Sequence, residues 1–160
     1  MFVLFKIIGI ACLPVIFLQD FKDRQVSILL LCISFFSFAA IHLLNSTWEG
    51  FLVSIAFNLL LLVMIIILLY TYVKIIRKRA LKDAIGAGDI FFFSIMAVGF
   101  PTVTFVYLFA TSLLFSLVIF YIFKRNLKSP LIPLAGFQAL FLFIVMVFNT
   151  CFDFSNLYLI

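Results

Sequence analysis

The sequence predicts an all-α protein crossing a membrane six times. Three observations carry that prediction. Hydrophobic residues make up 68% of the 160 positions, where a soluble domain is apolar over about half. The apolar residues fall into runs long enough to span a bilayer. The basic residues collect in alternate connections between those runs.

A helix needs about 20 apolar residues to cross the hydrocarbon core. The first run is residues 1–18, "MFVLFKIIGIACLPVIFL". Its early Lys6 also suits a cleaved signal peptide, but no small-x-small site follows and the run is long enough to span. The second and third runs are residues 26–44 and 50–73. The fourth, 91–123, is too long for one crossing. Inside it lies "VGFPTVT" (98–104), where Gly99 and Pro101 are turn chemistry. It is therefore read as a short helix to Phe100 and a longer one to Phe123. The sixth run is 131–152. One transmembrane domain fills residues 1–160, with no internal repeat.

Lys22 and Arg24 lie in the first connection. Lys74, Arg77, Lys78, Arg79 and Lys82 lie in the third, and Lys124, Arg125 and Lys128 in the fifth. The second, "NSTWEG", and the fourth, "GFPTVT", carry neither Lys nor Arg. The positive-inside rule makes the odd-numbered connections cytoplasmic and puts both termini outside. Lys6 sits near a run end, where its stem can snorkel. The net charge of +5 is thus a topology signal, with attraction to anionic lipid second. It does not point to nucleic acid.

Cys12, Cys32 and Cys151 show no pairing or CxxC pattern and read as small apolar fillers. His42, the sole histidine, reads as a packed or interfacial residue. No metal cluster, phosphate loop or Ser/His pair is visible, so no cofactor is expected.

Chemistry is left to six acids. Glu49 and Asp153 fall outside; Asp20, Asp23, Asp83 and Asp89 fall on the cytoplasmic side. Asp23 reads as a loop acid beside Lys22 and Arg24, and Asp83 as a helix cap beside Lys82. Asp20 closes the first run and Asp89 opens the fourth, so two carboxylates from distant parts of the chain reach one face at similar depth. Ionisable groups at such positions mark function by default. Capping the fourth helix is the bland role for Asp89. Gly86 and Gly88, just before it, permit positive φ and close approach of another chain, which a cap does not need. Two close carboxylates cannot both ionise; one keeps its proton and the other acts as base. Such a pair activates water on a peptide carbonyl without metal or cofactor.

The ordered set "LQDFKDRQVS", "GAGD" and "KSPLIPLAGF" resembles the type IV prepilin and preflagellin peptidases, six-span GxGD aspartic proteases. Their first motif runs Asp, a hydrophobic residue, two variable residues, Arg, a variable residue, then Ile or Val. Asp20, Phe21, Lys22, Asp23, Arg24, Gln25 and Val26 follow it. Gly86-Ala87-Gly88-Asp89 is the second motif, and Pro130 and Pro133 match a Pro-x-x-Pro segment opening the last span. The resemblance implies that Asp20 and Asp89 are catalytic, that Gly86 and Gly88 shape the substrate approach, and that Arg24, Pro130 and Pro133 support them. It implies leader-bearing pilin-like precursors as substrates and the inner membrane of a prokaryote as location. Ser27-Ile28 stand where bacterial members often carry Pro-Asn, and Phe91 where many carry Lys. The cytoplasmic CxxC segment of the larger, N-methylating members is missing, so the chain is similar to the short protease-only forms. Two other readings use the same acids: a small ion- or proton-coupled transporter or channel, and an inactive relative working in pilus assembly. A transporter wants acids deep along a path, whereas the deeper polar residues Asn58 and Gln138 are expected to bond between helices.

Overall fold

Helices account for nearly all of the computed structural model, which describes residues 2–77, 86–123, 133–152 and 157–158. They are α1 (Phe2–Asp23), α2 (Ile28–Asn45), α3 (Trp48–Tyr72), α4 (Ala87–Gly99), α5 (Thr102–Phe123) and α6 (Leu134–Phe152), with a π-helical extension of α3 over Val73–Arg77. No strand occurs among the described residues. Five helices, all but α4, are long and apolar enough to cross a membrane, so this is a multi-pass membrane protein. Large apolar side chains such as Leu60, Met64 and Leu68 of α3, and Leu114 and Val118 of α5, lie exposed on the outside. Lipid is the solvent that suits such a surface.

Two element boundaries differ from the apolar runs. α1 continues five residues past Leu18, to Asp23, and α4 starts at Ala87, four residues before Phe91. Hydropathy follows lipid contact, whereas a helix continues until its backbone turns. Asp20 and Asp89 thereby lie within terminal helical turns.

α4 is the hub of the bundle, packing against α2, α3, α5 and α6, while α1 packs against α2 and α6. Its residues from Ile95 to Gly99 are buried without a break. Gly99 lets α2 come close: a β-carbon there would lie 2.9 Å from the β-carbon of the fully buried Phe38. Gly9 of α1 faces Phe38 and Ser37 from the other side, at an ordinary 3.5 Å.

With 13 residues, α4 is about 20 Å long, short of the roughly 30 Å hydrocarbon core. It ends inside the bundle, where Phe100 turns extended (φ −141°, ψ 151°) ahead of Pro101, as a residue before proline tends to. The last carbonyls of a helix have no partner within it, and here there is no bulk water to supply one. Side chains from two neighbours do so. The amide nitrogen of Asn58 on α3 donates to the carbonyls of Ala97 (2.7 Å) and Phe100 (2.9 Å). His42 on α2 donates from Nδ1 to the carbonyl of Val98 at 2.8 Å; since a carbonyl only accepts, the proton sits on Nδ1. His42 and Asn58 are both fully buried. Gln138 of α6 likewise donates to Ser112 of α5 at 3.2 Å. The sequence expectations of a packed histidine and of interhelical bonds from Asn58 and Gln138 are met.

Leu157 and Tyr158 close the same side. Tyr158 stacks on Phe100 at 5.7 Å between ring centroids, and Thr104 donates to the carbonyl of Leu157 at 3.0 Å. Burial raises the pKa of the Tyr158 hydroxyl, which keeps its proton.

Asn58→Leu strips partners from two buried carbonyls. A lost partner of this kind costs about 1–3 kcal/mol, so the variant's thermal midpoint in detergent is expected to fall well below that of Leu60→Ala on the lipid face. Equal midpoints would show that Asn58 does not hold the end of α4.

Candidate active site

Three helix ends meet on the side opposite His42: the last turn of α1, the first turn of α4 and the first turn of α6. The meeting is organised by what α6 lacks. The residue before α6 is Pro133, whose carbonyl accepts the first helical bond from the amide of Phe137 at 3.1 Å. Proline carries no side-chain oxygen, so it cannot cap the next amides as Thr47 caps α3 through Gly50. Two carboxylates from other helices take that place. The amide of Ala135 donates to Oδ1 of Asp89 at 2.8 Å, and the amide of Gly136 donates to Oδ2 of Asp20 at 2.6 Å.

The two aspartates therefore dock on adjacent peptide groups, though 69 positions separate them in the chain (89 − 20). Consecutive Cα atoms lie about 3.8 Å apart, which sets the scale on which the carboxyls converge. The amino end of a helix, with its orphan N–H groups and positive dipole end, suits such anionic company.

Asp20 is 8% exposed, whereas Asp23, one turn along, is exposed. The helical period thus separates the two acids of the first motif: Asp20 faces α6 and Asp23 faces away. Phe17 and Phe21 pack on Phe137, each at 6.4 Å between centroids, and seat the end of α1 on the start of α6. Gly136 makes the contact possible. A β-carbon at that position would lie 2.9 Å from Oδ2 and 3.0 Å from the β-carbon of Asp20.

Asp89 is the third residue of α4, and its second oxygen turns back to accept from the amide of Gly86 at 3.0 Å. That is one half of a capping box. Capping and site-forming were alternatives in the sequence; Asp89 does both, one oxygen for each.

The glycines before it call for a correction. No glycine among the described residues has positive φ, so neither Gly86 nor Gly88 serves a left-handed turn. Gly86 takes an extended conformation (φ −74°, ψ 152°) at the start of α4. A β-carbon there would come within 3.3 Å of the Asp89 carboxyl, while one on Gly88 would meet nothing within 4 Å. The reason is the earlier start of α4, which puts Gly88 in a regular helical turn.

Arg24 is the one left-handed residue among the described residues. Its φ is 56° and its amide donates to the carbonyl of Asp20 at 3.2 Å, ending α1. Its guanidinium charge acts on both Asp20 and Asp89. Gln19 secures the following connection, accepting from the amide of Ser27 at 2.9 Å. The ring of Phe91 packs edge-on against Phe35 of α2 at 6.2 Å.

Of the residues singled out in the sequence, Asp20, Asp89, Arg24, Gly86 and Pro133 assemble here. Gly88 lies in the adjoining turn, and Pro130 and Asp83 fall outside the described residues. Ala135 and Gly136 were missed as site residues. Their signal was available: a proline start followed by small residues marks a helix whose first amides are open to a neighbour. No protein-family model matches the chain, and no curated protein or solved structure matches it.

A left-handed conformation costs an L-residue about 1–2 kcal/mol that glycine is spared. Arg24→Gly should therefore unfold in detergent at a higher temperature than Arg24→Ala, since both lose the charge and only one is strained. The reverse order would contradict a left-handed end to α1.

Proposed function

We propose that this protein is an intramembrane aspartic endopeptidase that removes the leader from type IV pilin-like precursors. The observation that carries the reading is the docking of Asp20 and Asp89 on the adjacent amides of Ala135 and Gly136. Each of the two carboxylates accepts from a backbone N–H of α6 and is held there at a helix end.

The chemistry follows from a shared proton. Two carboxyls this close do not ionise together. Asp89 accepts from two backbone amides and Asp20 from one. Amide donation favours the ionised form, so Asp89 is the base and Asp20 the acid. Asp89 takes a proton from a water molecule, whose oxygen attacks the scissile carbonyl carbon. Asp20 donates its proton to the carbonyl oxygen as the tetrahedral intermediate forms. Collapse breaks the C–N bond, the proton held by Asp89 passes to the leaving amine, and Asp20 recovers its own. Arg24, acting on both carboxyls, limits the charge the pair must carry.

In this reading α4 is the sixth, short crossing, both termini face outward, and the site lies at the cytoplasmic face of a prokaryotic inner membrane. The alternating basic connections support that orientation. A precursor's basic leader would remain in the cytoplasm with its apolar helix in the bilayer, and the scissile bond would reach the pair at the boundary.

Incubation with candidate precursors in detergent or lipid, read by mass spectrometry, tests the activity. Asp20→Asn and Asp89→Asn should each abolish cleavage, and the double variant should be no worse than either, because the two act as one unit. Asp23→Asn should retain most activity. Normal cutting by both single variants would eliminate the aspartic mechanism in favour of ion transport, and an inert wild type against every precursor would favour an assembly role.

Orientation has its own test. With the native cysteines replaced, single cysteines at Arg77 and Lys124 should resist an impermeant reagent on intact cells. Ready labelling at either position would invert the topology.

A further inference from the structure

We propose that Gly136 is a positioning residue for the aspartate pair: its amide and its missing side chain together hold Asp20 against α6, in step with Asp89 on the neighbouring amide. This role rests on the peptidase reading above and adds a requirement to it.

The contacts at Gly136 are of a different kind from those at the other glycines near the site. An added β-carbon would meet Asp20 at two atoms, Oδ2 at 2.9 Å and Cβ at 3.0 Å. A carboxyl oxygen can swing aside by a rotamer change, but a β-carbon moves only with its backbone. A side chain at 136 therefore displaces the end of α1 itself. Gly88 faces open space and Gly9 makes ordinary contacts at 3.5 Å.

The amide adds direction to this closeness. At 2.6 Å from Oδ2 it fixes one oxygen of Asp20. Ala135 does the same for Oδ1 of Asp89 at 2.8 Å. Two consecutive peptide groups of one helical turn then set the spacing of both carboxyls, and Pro133, lacking a capping oxygen, leaves both amides free for the task. Misplacement of a catalytic group by about 1 Å can cost 100-fold in rate.

The test uses the full chain with a cleaved precursor. Gly136→Ala should lower kcat by about 10- to 100-fold with little change in KM. The basic limb of its pH profile should move upward, because Asp20, the acid of the pair, loses an amide donor that favours its ionised form. A mere packing defect would reduce rates at every pH alike. Gly9→Ala, also buried and on the helix that carries Asp20, should behave as wild type.

A second measurement does not need the variant to fold. Alanine precedes glycine only at Gly88 and Gly136. Labelling wild-type protein with carbonyl-13C alanine and 15N glycine thus leaves two selected amide signals. One should titrate with the activity and stop doing so in Asp20→Asn. Wild-type kcat and pH profile in Gly136→Ala, or the absence of any amide signal that depends on Asp20, would overturn the positioning role. Those results with Asp20→Asn and Asp89→Asn inactive would leave the peptidase reading standing; active Asp variants would remove that reading instead.

Discussion

Two N–H groups at the start of α6 hold the site together. A helix that begins on proline has open amides and no cap of its own, and in a bundle with little water those amides must be met by protein. Asp20 and Asp89 meet them. The arrangement solves two problems with the same atoms. The amides gain acceptors, and two carboxylates that would repel one another in an apolar setting gain donors. Removing either side leaves the other costly, which ties α1, α4 and α6 into one unit.

The helix that carries Asp89 is secured at both ends. At its start, Asp89 caps its own first turn through the amide of Gly86. At its finish, Asn58 and His42 take the carbonyls that a helix of 13 residues leaves inside the bundle. A full-length span would end at the interface, where water does this work. The shortness of α4 is thus what requires polar side chains on α2 and α3, and their buried positions follow from backbone needs. Asn58 and His42, deep in the bundle, thus serve the scaffold.

Most of this was legible in the sequence. Runs of apolar residues located the helices, and "VGFPTVT" divided the fourth run at the observed break, Phe100 and Pro101. The places of Asp20 and Asp89 at run ends bring them to one face, and Asn58 and Gln138 are legible as interhelical donors. What was not legible depended on where backbones bend. Arg24 takes the left-handed conformation at the end of α1, a place where glycine is the usual sign. The glycines of "GAGD" suggested a left-handed turn before Asp89, but α4 begins early enough to absorb Gly88 in a regular turn. Gly136 is legible only in part: the proline start before it marks open amides, but the closeness it permits is set by a residue 116 positions away.

The two glycine cases separate two uses of a missing side chain. Gly88, beside the acid in sequence, has open space where a β-carbon would lie, which in the proposed peptidase reading suits the approach of an extended peptide. Gly136, remote in sequence, has no space at all, and its bare backbone is what lets a carboxyl approach to hydrogen-bonding distance. The first is a property of the approach and the second of the pair's geometry. In the peptidase reading, substrate choice can therefore vary at the start of α4, while the spacing of the acids stays fixed by α6.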